Sequence, residues 1–117
     1  MRENKLADLS MEFSVRIVRF CETINGHRSL VNQLERSATS IGANIYEANY
    51  VNSRADFVAK MHISLKESYE TEYWLKLFVN AGLAQESQVV DLCNQCGTIR
   101  RILVASINTA KKKEDVK

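Results

Sequence analysis

The sequence predicts an all-α protein, an antiparallel up-down-up-down four-helix bundle. Three observations carry this. The 117 residues include no proline and only four glycines, Gly26, Gly42, Gly82 and Gly97, so the usual breakers of regular structure are scarce. Apolar residues recur three and four apart in four long runs. Short breaks separate those runs, and helices joined by short loops pack as antiparallel neighbours. With 45% apolar residues the chain can bury a core as one domain, residues 1–117, without disulfide or metal staples.

The first helix is expected from about Asn4 to Ile24, with Leu6, Leu9, Phe13, Ile17, Phe20 and Ile24 on one face. Asn25-Gly26-His27 ends it. The second runs from about Ser29, the expected N-cap, to Tyr50, on a heptad seam of Val31, Leu34, Ala38, Ile41, Ile45 and Ala48. Gly42 inside that seam costs about 1 kcal/mol of helix propensity. It reads either as a close approach of another backbone or as a tolerated surface glycine. Ser53 with Asp56 resembles a capping box at the start of the third helix, which runs to Ala81 before Gly82. Phe57, Met61, Leu65, Ser68, Glu72 and Leu75 form its seam. Tyr69, Tyr73, Leu77 and Val79 widen its apolar surface, which implies contact on more than one side. The fourth helix starts near Glu86, on a seam of Val89, Leu92, Cys96, Ile99, Leu103, Ser106 and Ala110. Residues 110–117 are expected as a mobile basic tail.

Charge is distributed unevenly. Residues 1–84 hold ten basic and ten acidic groups; residues 85–117 hold six and four, and so carry the whole net charge of +2. Arg100, Arg101, Lys111, Lys112 and Lys113 stand without an acid between them, which makes them the candidate phosphate contacts. A solvated helix end that favours the dipole is the simpler alternative. No apolar run reaches membrane-spanning length, and Met1 to Lys5 lead into an amphipathic stretch unlike a signal core. With three cysteines and no secretory context, the expected location is the cytoplasm, with reduced thiols and no membrane partner.

A polar stripe lies beside the apolar seams of the second and third helices. It comprises Arg36, Ser37, Ser40, Asn44 and Glu47 on one helix and Glu67 and Glu70 on the other. Such groups are costly at a packed contact unless paired. The expected pairing sets Glu47 and Glu67 or Glu70 against Arg36, Ser37, Ser40 or Asn44, which would fix register; an acid–base cleft is the rival reading. Glu72 and Lys76 have the spacing of a surface pair. Tyr69, Tyr73 and Trp74, with Phe78, form an aromatic cluster that serves either the core or a subunit interface.

Catalytic machinery is not visible in the chain. His27 falls in a turn and His62 on a helix flank, and no phosphate loop, dinucleotide fingerprint or nucleophile elbow occurs. Cys93 and Cys96 have the spacing of half a zinc site, but no second half follows. No Glu is followed three residues later by His, as a di-iron bundle requires. The chain is therefore expected to be no enzyme and to hold no metal or cofactor.

The segment Leu34 to Ala48 closely resembles the signature of the 23S rRNA-intervening-sequence protein family, the four-helix-bundle proteins. Asp56-Phe57, Lys60-Met61, Lys66-Glu67, Glu70-Thr71 and Tyr73-Trp74-Leu75 are similar to that family's third helix. Together they extend the likeness over roughly residues 6–110. Many relatives carry proline where this chain has Gly42 and glycine where it has Ala48. The resemblance implies a left-handed antiparallel bundle and a ring-shaped homo-oligomer, with a pentamer favoured. It does so through the family's similarity to the accessory variability protein of diversity-generating retroelements, a basic barrel that binds nucleic acid and a reverse transcriptase. It supplies no catalytic residues. The expected function is binding of RNA, DNA or a ribonucleoprotein partner by a homo-oligomer. The alternative is a protein-interaction scaffold without nucleic acid.

Overall fold

The computed structural model of the chain describes residues 4–116, with side chains through Lys113. Met1 to Glu3, read above as part of an N-terminus unlike a signal core, and Lys117 of the basic tail lie outside the described residues. Four helices follow in order: α1 Lys5–Glu22, α2 Arg28–Ala48, α3 Arg54–Asn80 and α4 Glu86–Val116.

Local chemistry sets their ends. The Asn4 side chain accepts from the Ala7 N–H at 3.0 Å and caps α1. Ser53 accepts from the Asp56 N–H at 3.1 Å and caps α3, as its spacing predicts. The start of α2 differs from expectation. His27, not Ser29, is its N-cap, left-handed at φ 52° with no side-chain cap. Gly26 (φ 76°) and His27 turn the chain in two consecutive left-handed steps, and the His27 carbonyl already accepts from Leu30 and Val31. At the end of α3, Gly82 (φ 76°) reverses the chain, and the Leu83 N–H reaches back to the Phe78 carbonyl at 2.8 Å. The helix α4 continues through Lys111, Lys112 and Lys113 to Val116, beyond the point where a tail was expected.

α1 packs on α2 and α4, and α3 packs on the same two; among the described residues no backbones approach across a diagonal, where the Phe20 and Phe78 rings meet at 6.3 Å between centroids. The helices thus stand at the corners of a square, each antiparallel to its chain neighbour. Phe13, Ile17, Leu34, Ala38, Ile41, Leu75, Phe78, Ile99 and Leu103 are fully enclosed. Burying each large side chain contributes roughly 1.5–3 kcal/mol before ordering costs.

Two seams run differently from the expected ones. On α4 it is Ile107, not Ser106, that enters the core. On α3 the buried line is Met61, Ser64, Ser68, Thr71, Leu75 and Phe78, while Phe57 and Leu65 are half-buried. Small hydroxyl residues occupy the places where helices come close. Gly42 belongs to the same pattern: a Cβ there would lie 3.3 Å from Ser14 Oγ and 3.4 Å from Ser10 Oγ, so α1 closes onto α2 at this point. Among the described residues no helix is long and apolar enough to cross a membrane.

Candidate interaction surface

The polar stripe sorts into three settings. Ser37 is fully buried; Thr71 donates to its hydroxyl at 3.0 Å, and Ser37 donates on to the Leu34 carbonyl at 3.2 Å. Ser64 donates to the Ile41 carbonyl at 2.8 Å, a second bridge from α3 to α2. Arg36 donates to Glu70 and lies 3.5 Å from Glu67, whose Oε1 is buried. The Trp74 indole N–H donates to the same Glu70 carboxylate at 3.1 Å. That indole, followed by Arg36, holds Glu70 below the usual carboxylate range. The expected pairing of Arg36 with Glu67 and Glu70 is therefore present.

The other half of the expected set does not meet its expected partners. Asn44 donates to the Ser40 carbonyl at 2.8 Å, within α2. Glu47 is exposed and meets Lys60 at 2.6 Å instead. Glu47 thus ties α2 to α3 through Lys60 and not through Arg36, Ser37, Ser40 or Asn44. Each stripe carboxylate faces a cation: Glu47 meets Lys60, and Glu67 and Glu70 meet Arg36. Thr71 and Ser64, which complete the bridges, were not picked out from the sequence. Their signal was available: both fall on the apolar period of α3 between Met61 and Leu75.

Arg100 is the largest departure from the sequence reading. It was expected to meet phosphate. Instead its guanidinium donates to Glu72 at 2.6 Å and to Ser68 Oγ at 3.2 Å, and lies 4.4 Å from the Tyr69 ring centroid. Its side chain is only 18% exposed. Glu72 is thus more than half of a surface pair: it holds Arg100 and also Lys76, at 3.3 Å. Burial pushes Glu72 up, but Arg100 and then Lys76 bring it below the ordinary carboxylate value. The physical consequence is that Arg100 ties α4 to α3 and its charge is already met.

Arg101, one residue on, is exposed and donates only to Thr98, at 3.1 Å. It borders a groove of about 740 Å³ at the bundle end. The apolar lining comes from Ala48 and Val51 after α2, Phe57 of α3, and Ile102, Ala105 and Ala110 of α4. Three cations border it, Arg54, Arg101 and Lys113, and among the described side chains no carboxylate does. No described residue of α1 lines it. Successive helical residues turn by about 100°. The run Lys111 to Lys113 is therefore spread around α4, all three exposed, with Lys113 alone on the groove.

Tyr69 and Tyr73 are 56% and 60% exposed, so they are not core. Trp74 packs edge-on against Tyr73 and partly on the core. His27 and His62 are exposed. Cys96 is enclosed, with its thiol 3.4 Å from the Ser68 carbonyl, and burial pushes it up to about 11. Burial pushes Cys21 up to about 11 and also raises Cys93. Thiolates are therefore scarce at neutral pH, and these side chains act as small apolar groups. Among the described residues no cluster of three His, Cys, Asp or Glu side chains could hold a metal ion.

No curated protein matches the chain. It is similar to a crystallised protein of unknown function from the S23 ribosomal protein family of Bacteroides thetaiotaomicron VPI-5482. The two are 40% identical, with 87% of this chain and 97% of that chain covered and a TM-score of 0.82. The family model for 23S rRNA-intervening sequence proteins matches residues 2–105. The chain, four antiparallel helices bearing that signature on α2 and α3, belongs to the 23S rRNA-intervening sequence protein family.

Proposed function

We propose that this protein is a cytoplasmic, non-enzymatic homo-oligomer that binds nucleic acid, alone or within a ribonucleoprotein, through the basic end of α4. One observation carries the reading. Arg101, at the middle of α4, and Lys111, Lys112 and Lys113, near its end, are exposed, and none is in an ion pair among the described side chains. Arg36, Lys60, Lys76 and Arg100 face carboxylates, and the other cations outside ion pairs among the described residues, Lys5, Arg16, Arg19, Arg28, Arg54 and Lys66, are spread over α1, α2 and α3 instead of gathered on one helix. Unpaired cations on a helix end contact phosphates as point charges or forks and read no bases. One protomer offers few of them, and a ring, with the pentamer favoured, multiplies them.

The test is a gel-shift series with RNA and with DNA at increasing salt. Binding is expected at low salt, falling steeply as salt rises. A wild type that binds neither at low salt refutes the reading. So does a chain with Arg101, Lys111, Lys112 and Lys113 changed to Gln that binds as well as wild type. The rival reading, a protein-interaction scaffold, draws on the exposed Tyr69 and Tyr73. It predicts a tight protein partner whose capture is indifferent to nuclease.

A further inference from the structure

The groove bordered by Arg54, Arg101 and Lys113 has cations and an apolar floor but nothing to cover them. A matching surface exists on the same chain. On α1, Met11 and Val15 are 64% and 46% exposed, one helical turn apart on the same face. Asp8 and Glu12 are exposed beside them, and neither is in an ion pair among the described residues. Asp8, Met11, Glu12 and Val15 stand at i, i+3, i+4 and i+7. That spacing puts them on one stripe, the pattern with which a helix lies in an apolar groove. Lys5 and Arg19 bound the stripe at its two ends.

We propose that the groove seats α1 of a second copy of this chain. Met11 and Val15 of the incoming helix cover the floor around Phe57, Ile102 and Ala105, and Asp8 and Glu12 meet Arg54, Arg101 and Lys113. Complementarity is confined to the middle of the stripe, where Asp8 and Glu12 oppose the three cations of the groove, while Lys5, Arg16 and Arg19 lie outside the contact. The two surfaces are distinct, because no described α1 residue lines the chain's own groove. Each copy therefore gives one helix and receives another. A contact of this head-to-tail kind makes a ring when its rotation closes. Thr98 holds Arg101 in place beforehand, so little side-chain freedom is lost on docking. Lys111 and Lys112 do not line the groove and remain free for phosphate. The proposal rests on the homo-oligomer half of the reading above; it assigns Arg101 and Lys113 to the contact between copies and leaves Lys111 and Lys112 as the phosphate contacts of the nucleic-acid half.

A charge swap, read by light scattering on the full chain at micromolar concentration, tests it. The wild type is expected at a multiple of the 13.3 kDa monomer. Glu12→Arg is expected at the monomer mass, as is Arg101→Glu. The chain carrying both substitutions is expected to regain the wild-type mass, since every contact is then matched again. Both positions are exposed, so helicity by circular dichroism is expected to stay at the wild-type level in all variants. Glu12→Arg that keeps the wild-type mass overturns the proposal, as does a helical double variant that stays monomeric. Either result leaves the homo-oligomer reading standing. A monomeric wild type, with or without a groove that takes an acidic amphipathic peptide, overturns both.

Discussion

Arg100 and Arg101 are neighbours in the chain and stand in opposite settings. Arg100 turns toward α3, where Glu72, Ser68 and the Tyr69 ring enclose it. Arg101 turns toward the groove, where Thr98 is its one hydrogen-bond partner among the described residues. A helical step of about 100° is enough to move a cation from a structural tie to an open surface. The two halves of the molecule divide in the same way. Along the α2–α3 and α3–α4 contacts, each charged side chain brought near the core finds a partner of opposite sign. Toward the α4 end, Arg101, Lys111, Lys112 and Lys113 are in no ion pair among the described side chains.

The sharpest way to break this comparison is to remove each guanidinium in turn. Arg100→Met leaves Glu72 partly buried beside Ser68 with only Lys76 to face, and is expected to cost about 2 kcal/mol. Arg101→Met is expected to stay within about 0.5 kcal/mol of wild type, as surface changes do. Urea denaturation of the two variants, with unchanged m-value, measures both.

Acid provides a gentler probe of the same ties. Glu70 and Glu72 both titrate below their ordinary value of 4.5 in the folded protein. A depressed folded value means that the stabilisation is complete at neutral pH. It is lost as pH falls through 4.5 and on through the lower folded values. The urea midpoint should therefore decline on acidification below that point, and decline less in Arg100→Met. An identical acid profile for the two proteins would show that Glu72 owes its shift to something other than Arg100.

The smallest effect compares two glycines. Gly97→Ala is expected to raise stability by about 0.5–1 kcal/mol, because the new Cβ would meet only Arg101 Nη1 at 3.6 Å. Gly42→Ala has the same propensity gain but presses on Ser14 and Ser10 at 3.3 and 3.4 Å. It should gain clearly less, and thermal melts of the pair decide it.

The bundle and its seams were legible from the sequence because three- and four-residue spacing of apolar side chains survives any choice of neighbour. The Arg36 tie to Glu67 and Glu70 was legible for a related reason: a costly group near a seam needs a partner, and few were on offer. Arg100 was not, because linear charge density cannot say which way a side chain turns on its helix. The N-cap at His27 was missed since two left-handed residues in succession are rare outside glycine. Ser106 and Ile107 exchanged places for want of one step of register. The groove itself depends on α1 contributing nothing to its lining, which no single stretch of sequence reveals.

The claim on which the functional account stands is that free charge at the α4 end, and not charge in general, engages nucleic acid. The direct measurement is the salt dependence of RNA binding by wild type, Arg100→Gln, and the double variant Lys111→Gln with Lys112→Gln. The account predicts that the double variant loses about two phosphate contacts from the slope of log K against log salt, while Arg100→Gln keeps the wild-type slope. Equal slopes for the double variant and wild type, or a slope lost with Arg100 alone, would contradict it.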